Sequence, residues 1–207
     1  MKHTREELLN TLTHLGGTLL MPVVLVLLLH QTKSSMWQYT FSILVFSISA
    51  ILMYASSTIY HWALPGRLKR ILRYFDHINI YILIAASYTP ILLCAVGGTT
   101  GWVMFGVMWG IALLGTFYKI FFLGKYPRLS LGIYLTMGWS GVFVVKPVWD
   151  SLPATALWCL LAEGFFYTMG SYFFSRDGKH KYYHAIWHLF VLGGTLSHFA
   201  AVWFFLK

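Results

Sequence analysis

The sequence predicts an all-α membrane protein: a bundle of seven transmembrane helices with a cytoplasmic N-terminus and an extracytoplasmic C-terminus. Three observations carry that expectation. Of 207 residues, 58% are hydrophobic and only 10% charged, against about 25% charged in an ordinary soluble domain. The apolar residues fall into seven runs, each near the roughly 17–25 residues that cross a bilayer. The lysines and arginines sort to one side of those runs. At this length one domain, 1–207, is expected.

The first run covers about 15–30. Lys2 and Arg5 before it give the outline of a secretory signal. Glu6 and Glu7 interrupt that basic region, and no small-x-small cleavage site precedes His30-Gln-Thr-Lys33, so an uncleaved first span is expected. The following spans are expected at about 38–62, 77–96, 101–120, 129–146, 153–174 and 183–205. Turn signals separate them: Pro65-Gly66-Arg67, Gly97-Gly98-Thr99-Thr100, Gly124-Lys125-Tyr126-Pro127 and Arg176-Asp177-Gly178-Lys179. Linkers this short force neighbouring helices antiparallel and leave no space for another domain. Cys94 and Cys159 both fall inside apolar runs and are expected to pack as small hydrophobes rather than pair.

Orientation follows from the cations. Lys2 and Arg5; Arg67, Lys69, Arg70 and Arg73; Lys119, Lys125 and Arg128; and Arg176, Lys179 and Lys181 all fall on one side, leaving Lys33, Lys146 and Lys207 on the other. The positive-inside rule makes the first side cytoplasmic. Topology and anionic headgroups account for the net charge of +9, so no nucleic-acid partner is implied. Trp37, Tyr39, Trp102, Trp149 and Trp203 are expected near the outer ends, and Tyr60, Trp62, Tyr182 and Tyr183 near the inner ones.

Polar residues in a membrane are costly and mark candidate sites. His14 precedes the first span, Ser57 and His61 end the second, Asp76 opens the third, and His184 and His188 enter the seventh. At 1.5 Å per residue all lie within about two turns of the cytoplasmic face. Histidines at i and i+4 share a helix face, so one cation can bridge them. Three imidazoles suit Zn²⁺ and leave a fourth position for water, whose pKa the metal brings toward about 7. Asp76 could hold and deprotonate that water, and Ser57 could bond a substrate oxyanion or support the site. Each residue also has an ordinary reading. His-x3-His pairs arise by chance, membrane serines usually bond their own backbone or a neighbouring helix, and an aspartate at a helix start is usually a cap.

The other polar residues point elsewhere. His3, His30 and His180 are expected in solvent. His77 follows Asp76 about 100° around the helix, so at most one of the two faces the site. His198 lies too deep to join the cluster. Glu163, near the middle of the sixth span, must be neutral, paired or facing water, since an ionised carboxylate there costs at least ~2.5–3.5 kcal/mol. Gly106-x3-Gly110 could allow close helix approach.

At these residues the sequence resembles the hemolysin III branch of the progestin and adiponectin receptor (PAQR) family. The likeness begins with Glu7-x2-Asn10-x2-Thr13-His14 and continues through Ser57-x3-His61. It then takes in Asp76-His77 running into Ile80-Tyr81-x-Leu83-Ile84-Ala85-x2-Tyr88-Thr89-Pro90, Met137-Gly138-Trp139 and His184-x3-His188. The resemblance implies a seven-helix fold with a cytoplasmic N-terminus and zinc held by His61, His184 and His188. It also implies that Asp76 bonds the zinc-bound water, that Ser57 sits beside the site, and that Glu7, Asn10 and His14 support it, His14 being able to supply a fourth ligand. In one place the chain departs from the bacterial pattern, which typically reads Gly-Gly-x2-Tyr-x2-Gly: here Glu163-Gly164-x2-Tyr167-x2-Gly170 stands instead.

Human members of the family are linked to ceramide hydrolysis, and related membrane proteins are zinc-dependent ceramidases. The resemblance therefore implies a zinc-dependent hydrolase of a membrane lipid amide in the cell (plasma) membrane, with membrane lipids as its partners. The alternatives are a pore-forming cytolysin, as the branch name suggests, and a receptor or sensor with structural zinc. Three imidazoles and a nearby carboxylate favour an open, water-bearing metal over a closed structural one.

Overall fold

A computed structural model describes residues 4–206, every regular element of which is helical. Lys2 and Lys207 of the charge tally, and His3, lie outside the described residues. Helix α1 (Arg5–Gln31) starts at Thr4, whose Oγ1 accepts the Glu7 N–H at 3.2 Å. Glu6 and Glu7 in its first turn suit the positive end of the dipole. Helix α2 (Trp37–Trp62) follows, then α3 (Arg67–Pro90). Pro90 cannot donate back along α3, and the helix widens into a π-helical turn, Ile91–Val96. Gly97 and Gly98, at φ 60° and 53°, turn the chain into α4 (Gly98–Phe122) through the left-handed region that glycine tolerates.

The next span is interrupted: α5 (Pro127–Trp139) passes through a 3₁₀ segment, Ser140–Val144, into the short α6 (Val145–Ser151). Helices α7 (Ala154–Ser175) and α8 (Tyr183–Leu206) complete the bundle. Among the described residues, six helices are long and apolar enough to cross a membrane: α1, α2, α3 with its π turn, α4, the α5–α6 composite, and α8. Helix α7, of 22 residues, packs along α8 and carries Glu163.

Sequence neighbours pack together, and α1 closes the arrangement by also packing on α8. Met21, Val24, Leu28, Phe46, Met53, Tyr54 and Val202 form the core shared by α1, α2 and α8. Tyr81, Leu92, Met108, Ala112 and Met137 form a second core between α3, α4 and α5. Outward-facing Leu114, Phe121, Phe143 and Trp158 are 69–79% exposed, a surface suited to hydrocarbon rather than water. Both cysteines are free thiols, as expected. Of the aromatic residues assigned to the outer ends, Trp37 and Trp102 meet, with ring centroids 6.1 Å apart.

Some expectations need correction. Helix α3 begins at Arg67, ten residues ahead of the apolar run, because Arg, Lys and Leu are good helix formers and extend the helix beyond the apolar slab. Asp76 therefore sits in the third turn of α3 and caps nothing; by the same logic His14 lies inside α1. Lys119, counted among the cytoplasmic cations, lies in the last turn of α4 with its side chain buried. A Cβ on Gly106 or Gly110 would meet nothing within 4 Å, so that motif brings no helix close. Close approach occurs at Gly17, where a Cβ would fall 2.4 Å from the Tyr54 ring.

Candidate metal site

Three imidazoles converge where α2 ends and α8 begins. His61 lies in the last turn of α2, and His184 and His188 occupy successive turns of α8 on one face. Their ring centroids are 4.8 Å (His61–His184), 5.2 Å (His61–His188) and 4.5 Å (His184–His188) apart. One ring nitrogen from each lies within 4.8 Å of the other two.

The hydrogen bonds say which nitrogens are available. His61 Nδ1 lies 2.7 Å from Glu7 Oε2, and His184 Nδ1 lies 2.8 Å from Asp177 Oδ2. His188 Nδ1 lies 3.2 Å from the Asn10 carbonyl oxygen and 3.0 Å from Thr13 Oγ1. Carboxylates and backbone carbonyls only accept, so each Nδ1 carries the proton, and each neutral ring keeps its lone pair on Nε2. The Nε2 atoms of all three are buried without a hydrogen-bond partner. Lone pairs of that kind, held by partners on the opposite ring nitrogen, are what a metal ion takes.

Helix α1 supports this arrangement. Glu7 also accepts from Lys69 Nζ of α3, which fixes the carboxylate against His61. Glu6 Oε1 accepts the Tyr182 N–H at 3.0 Å, beside the start of α8. Tyr182 holds the unusual φ of 67°, a strained value for a residue with a side chain. His14 stacks on His188 with centroids 3.5 Å apart and planes 15° apart, and meets Tyr54 edge-on at 5.0 Å. Both His14 nitrogens are buried and unpartnered, yet neither is among the converging donors.

Asp76 is buried, 6% exposed, with Oδ2 3.2 Å from His77 Nδ1. His77, the next residue along the helix, thus meets the Asp76 carboxylate and is not among the converging ring nitrogens. Ser57 and His61 also act on Asp76. Ser57 Oγ is fully buried, one turn before His61, and neighbours Asp76 without meeting hydrogen-bond geometry.

Asp177 was not singled out by sequence reasoning; its place seven residues before His184, on a turn, was the available signal. Burial pushes its carboxyl up, but the His184 hydrogen bond, that imidazole's charge and the Gly178 amide outweigh it. The net effect holds Asp177 below the usual carboxylate range. Glu163 is paired, one of the three options expected: its Oε2 lies 2.9 Å from Nδ1 of His198, which is 2% exposed. His30 and His180 are exposed, as expected.

Comparison with known proteins agrees with this architecture. The family model described as "Haemolysin-III related" matches residues 2–199. The chain is 38% identical to "Hemolysin-3 homolog" of Bacillus subtilis (strain 168), covering 97% of this chain and 94% of that one. It is 35% identical to "Hemolysin-3" of Bacillus cereus, over 97% and 92% of the two chains. It is also 31% identical to "Monocyte to macrophage differentiation factor" of Homo sapiens, over 97% and 84%. Matched along nearly its whole length by that family and by these relatives, this multi-pass membrane protein belongs to the haemolysin-III-related family, within the PAQR group.

Proposed function

We propose that the protein is a zinc-dependent hydrolase of a membrane lipid amide, with zinc held by His61, His184 and His188. The observation that carries this reading is the set of three buried Nε2 lone pairs, each backed by an accept-only group on Nδ1, with Asp76 alongside. The donor set fits: three neutral imidazoles are a common catalytic zinc set. A tetrahedral ion at about 2.0–2.1 Å from each nitrogen needs nitrogens roughly 3.3 Å apart, a small contraction of side chains already within 4.8 Å.

Bound zinc would supply a Lewis acid that brings a water's pKa toward about 7. Asp76 would orient a water held there and take its proton, and the buried Ser57 hydroxyl beside Asp76 would donate to the oxygen of the scissile amide. Glu7, Asn10 and Asp177 keep the three rings in the Nε2-presenting tautomer. The substrate reaches the site from within the bilayer. On this reading the protein spans the plasma membrane seven times as a single domain, with α7 as the sixth span and the site on the cytoplasmic side. The cation distribution and the packing of α7 along α8 support that topology.

A second reading is a receptor or sensor whose zinc is structural. The observation favouring it is His14, a buried imidazole with two unpartnered nitrogens stacked on His188, able to turn and close a fourth position. The name of the Bacillus relatives suggests a cytolysin instead, but the apolar side chains filling both cores favour the first reading over a pore. Metal analysis of detergent-purified protein, together with turnover of a broad panel of lipid amides, separates these functions. About one zinc per chain with hydrolysis supports the first. Full zinc with no turnover anywhere in the panel gives the lead to the second.

A further inference from the structure

A second group of buried polar side chains lies between α3, α4 and α5. Lys119 is 3% exposed, so its ammonium does not snorkel to water. Its hydrogen bond among the described residues is to Ser130 Oγ, at 2.8 Å, and its Nζ lies 5.5 Å from the Tyr134 ring centroid. An ammonium offers three donors, and Ser130 takes one. Among the described residues, no carboxylate is in ion-pair contact with Lys119. Asp76 acts on it only from farther off and faces His77.

The neighbours sharpen the imbalance. Tyr81 is fully buried, and among the described residues its hydroxyl meets no partner in good hydrogen-bond geometry, although the Ser130 and Tyr134 side chains neighbour it. Its ring lies 4.4 Å from that of Tyr134, whose own hydroxyl is spent on the His77 carbonyl at 3.0 Å. Gly115 lets α4 close on this ring, since a Cβ there would fall 2.7 Å from it. Arg73 of α3 adds a second positive charge that acts on Lys119, and its guanidinium reaches the α4–α5 turn, 3.6 Å from where a Cβ on Gly124 would be. Two cations and two hydroxyls thus lie in one region where, among the described residues, no carboxylate forms an ion pair with either cation. Such a set is balanced by an oxyanion. At the end of a membrane-spanning helix, an amphiphile is the source that can deliver one with its hydrocarbon still in the bilayer.

We propose that Lys119, Tyr81, Ser130 and Arg73 bind the oxyanion head of a lipid, a carboxylate or a phosphate. The site is separate from His61, His184 and His188 and needs no metal. The test is binding of oleate, dioleoylphosphatidic acid and inorganic phosphate to the purified full chain, by native mass spectrometry and calorimetry. One or both lipids should bind, and at least tenfold more tightly than inorganic phosphate; which of them binds identifies the oxyanion. Lys119→Gln and Tyr81→Phe should each weaken lipid binding about tenfold or more. Lys119→Arg should stay within threefold, and zinc content should be unchanged in all three. Should Lys119→Gln fail to fold, Tyr81→Phe decides alone. Wild-type affinity in a folded Lys119→Gln or Tyr81→Phe protein overturns the proposal, and so does a wild-type chain that binds neither lipid. Inorganic phosphate binding as tightly as the lipids overturns the lipid assignment. Because zinc content is read in the same samples, a failure here is distinguishable from a failure of the hydrolase reading.

Discussion

Glu7 and His61 stand 54 positions apart in the chain, yet Glu7 Oε2 lies 2.7 Å from His61 Nδ1. A carboxylate in that place fixes the tautomer of the ring and raises the basicity of its other nitrogen. Glu7→Gln should therefore keep the fold and lower zinc affinity about 10–100-fold, the usual scale for such partners. Competition against a chelator of known affinity measures it. Unchanged affinity would mean that the Glu7 contact is structural only.

Elemental analysis of the purified chain should give about one zinc, and His188→Ala should lose most of it. Acid should strip the metal too, since protonated imidazole cannot ligate. The loss should set in over the interval where falling pH protonates the ligand imidazoles in competition with the metal. Asp177, held below the usual carboxylate range, stays ionised through that interval and keeps its bond to His184. Release then reports the imidazoles, and Asp177→Asn should shift it to higher pH. Full zinc in His188→Ala would sink the ligand assignment.

Asp76→Asn keeps the shape of the side chain but cannot take a proton. It should retain zinc nearly in full while lipid-amide turnover falls by ~10²-fold or more. Loss of zinc in this variant would instead make the carboxylate a ligand.

A reporter active only outside the cytoplasm should work when fused after Lys207 and fail when fused before Met1. The reverse pattern would move the histidine cluster to the outer face.

Glu163→Leu leaves His198, 2% exposed, without its partner. That single change should lower thermal stability in detergent by about 1–3 kcal/mol, the cost of an orphaned buried polar group. The double variant Glu163→Leu/His198→Leu should recover part of it. A double variant no better than the single one would show that packing, not pairing, is what matters there.

Much of this was legible because lipid simplifies the reading. Apolar runs marked α2, α4, α7 and α8 to within a few residues, and the common depth of His61, His184 and His188 followed from them. The amphipathic starts of α1 and α3 were missed, because hydropathy finds the slab and not the helix that protrudes from it. Asp76 was consequently placed at a helix start. The break at Ser140–Val144 left no mark, as its residues are as apolar as a regular span. The partners Lys69 and Asp177 lie on basic, solvent-facing segments, where a charge ordinarily means solubility. Only the folded arrangement turns Lys69 toward Glu7 and Asp177 toward His184.

The first and last helices meet at the histidines, through Thr13 and His14 on His188 and Glu6 on Tyr182. A ribosome finishes these two segments at opposite ends of synthesis. The nascent chain can insert most of its spans while the ring nitrogens of His61 still lack both companions from α8. On the proposed reading, zinc loading would wait for α8, and a chain that stops short of α8 would carry no competent centre into the bilayer. A pulse-labelled chain should become able to retain zinc only after its C-terminal helix has left the exit tunnel. Assembly would in that sense be self-checking, since the three imidazoles come together only once α8 is in place.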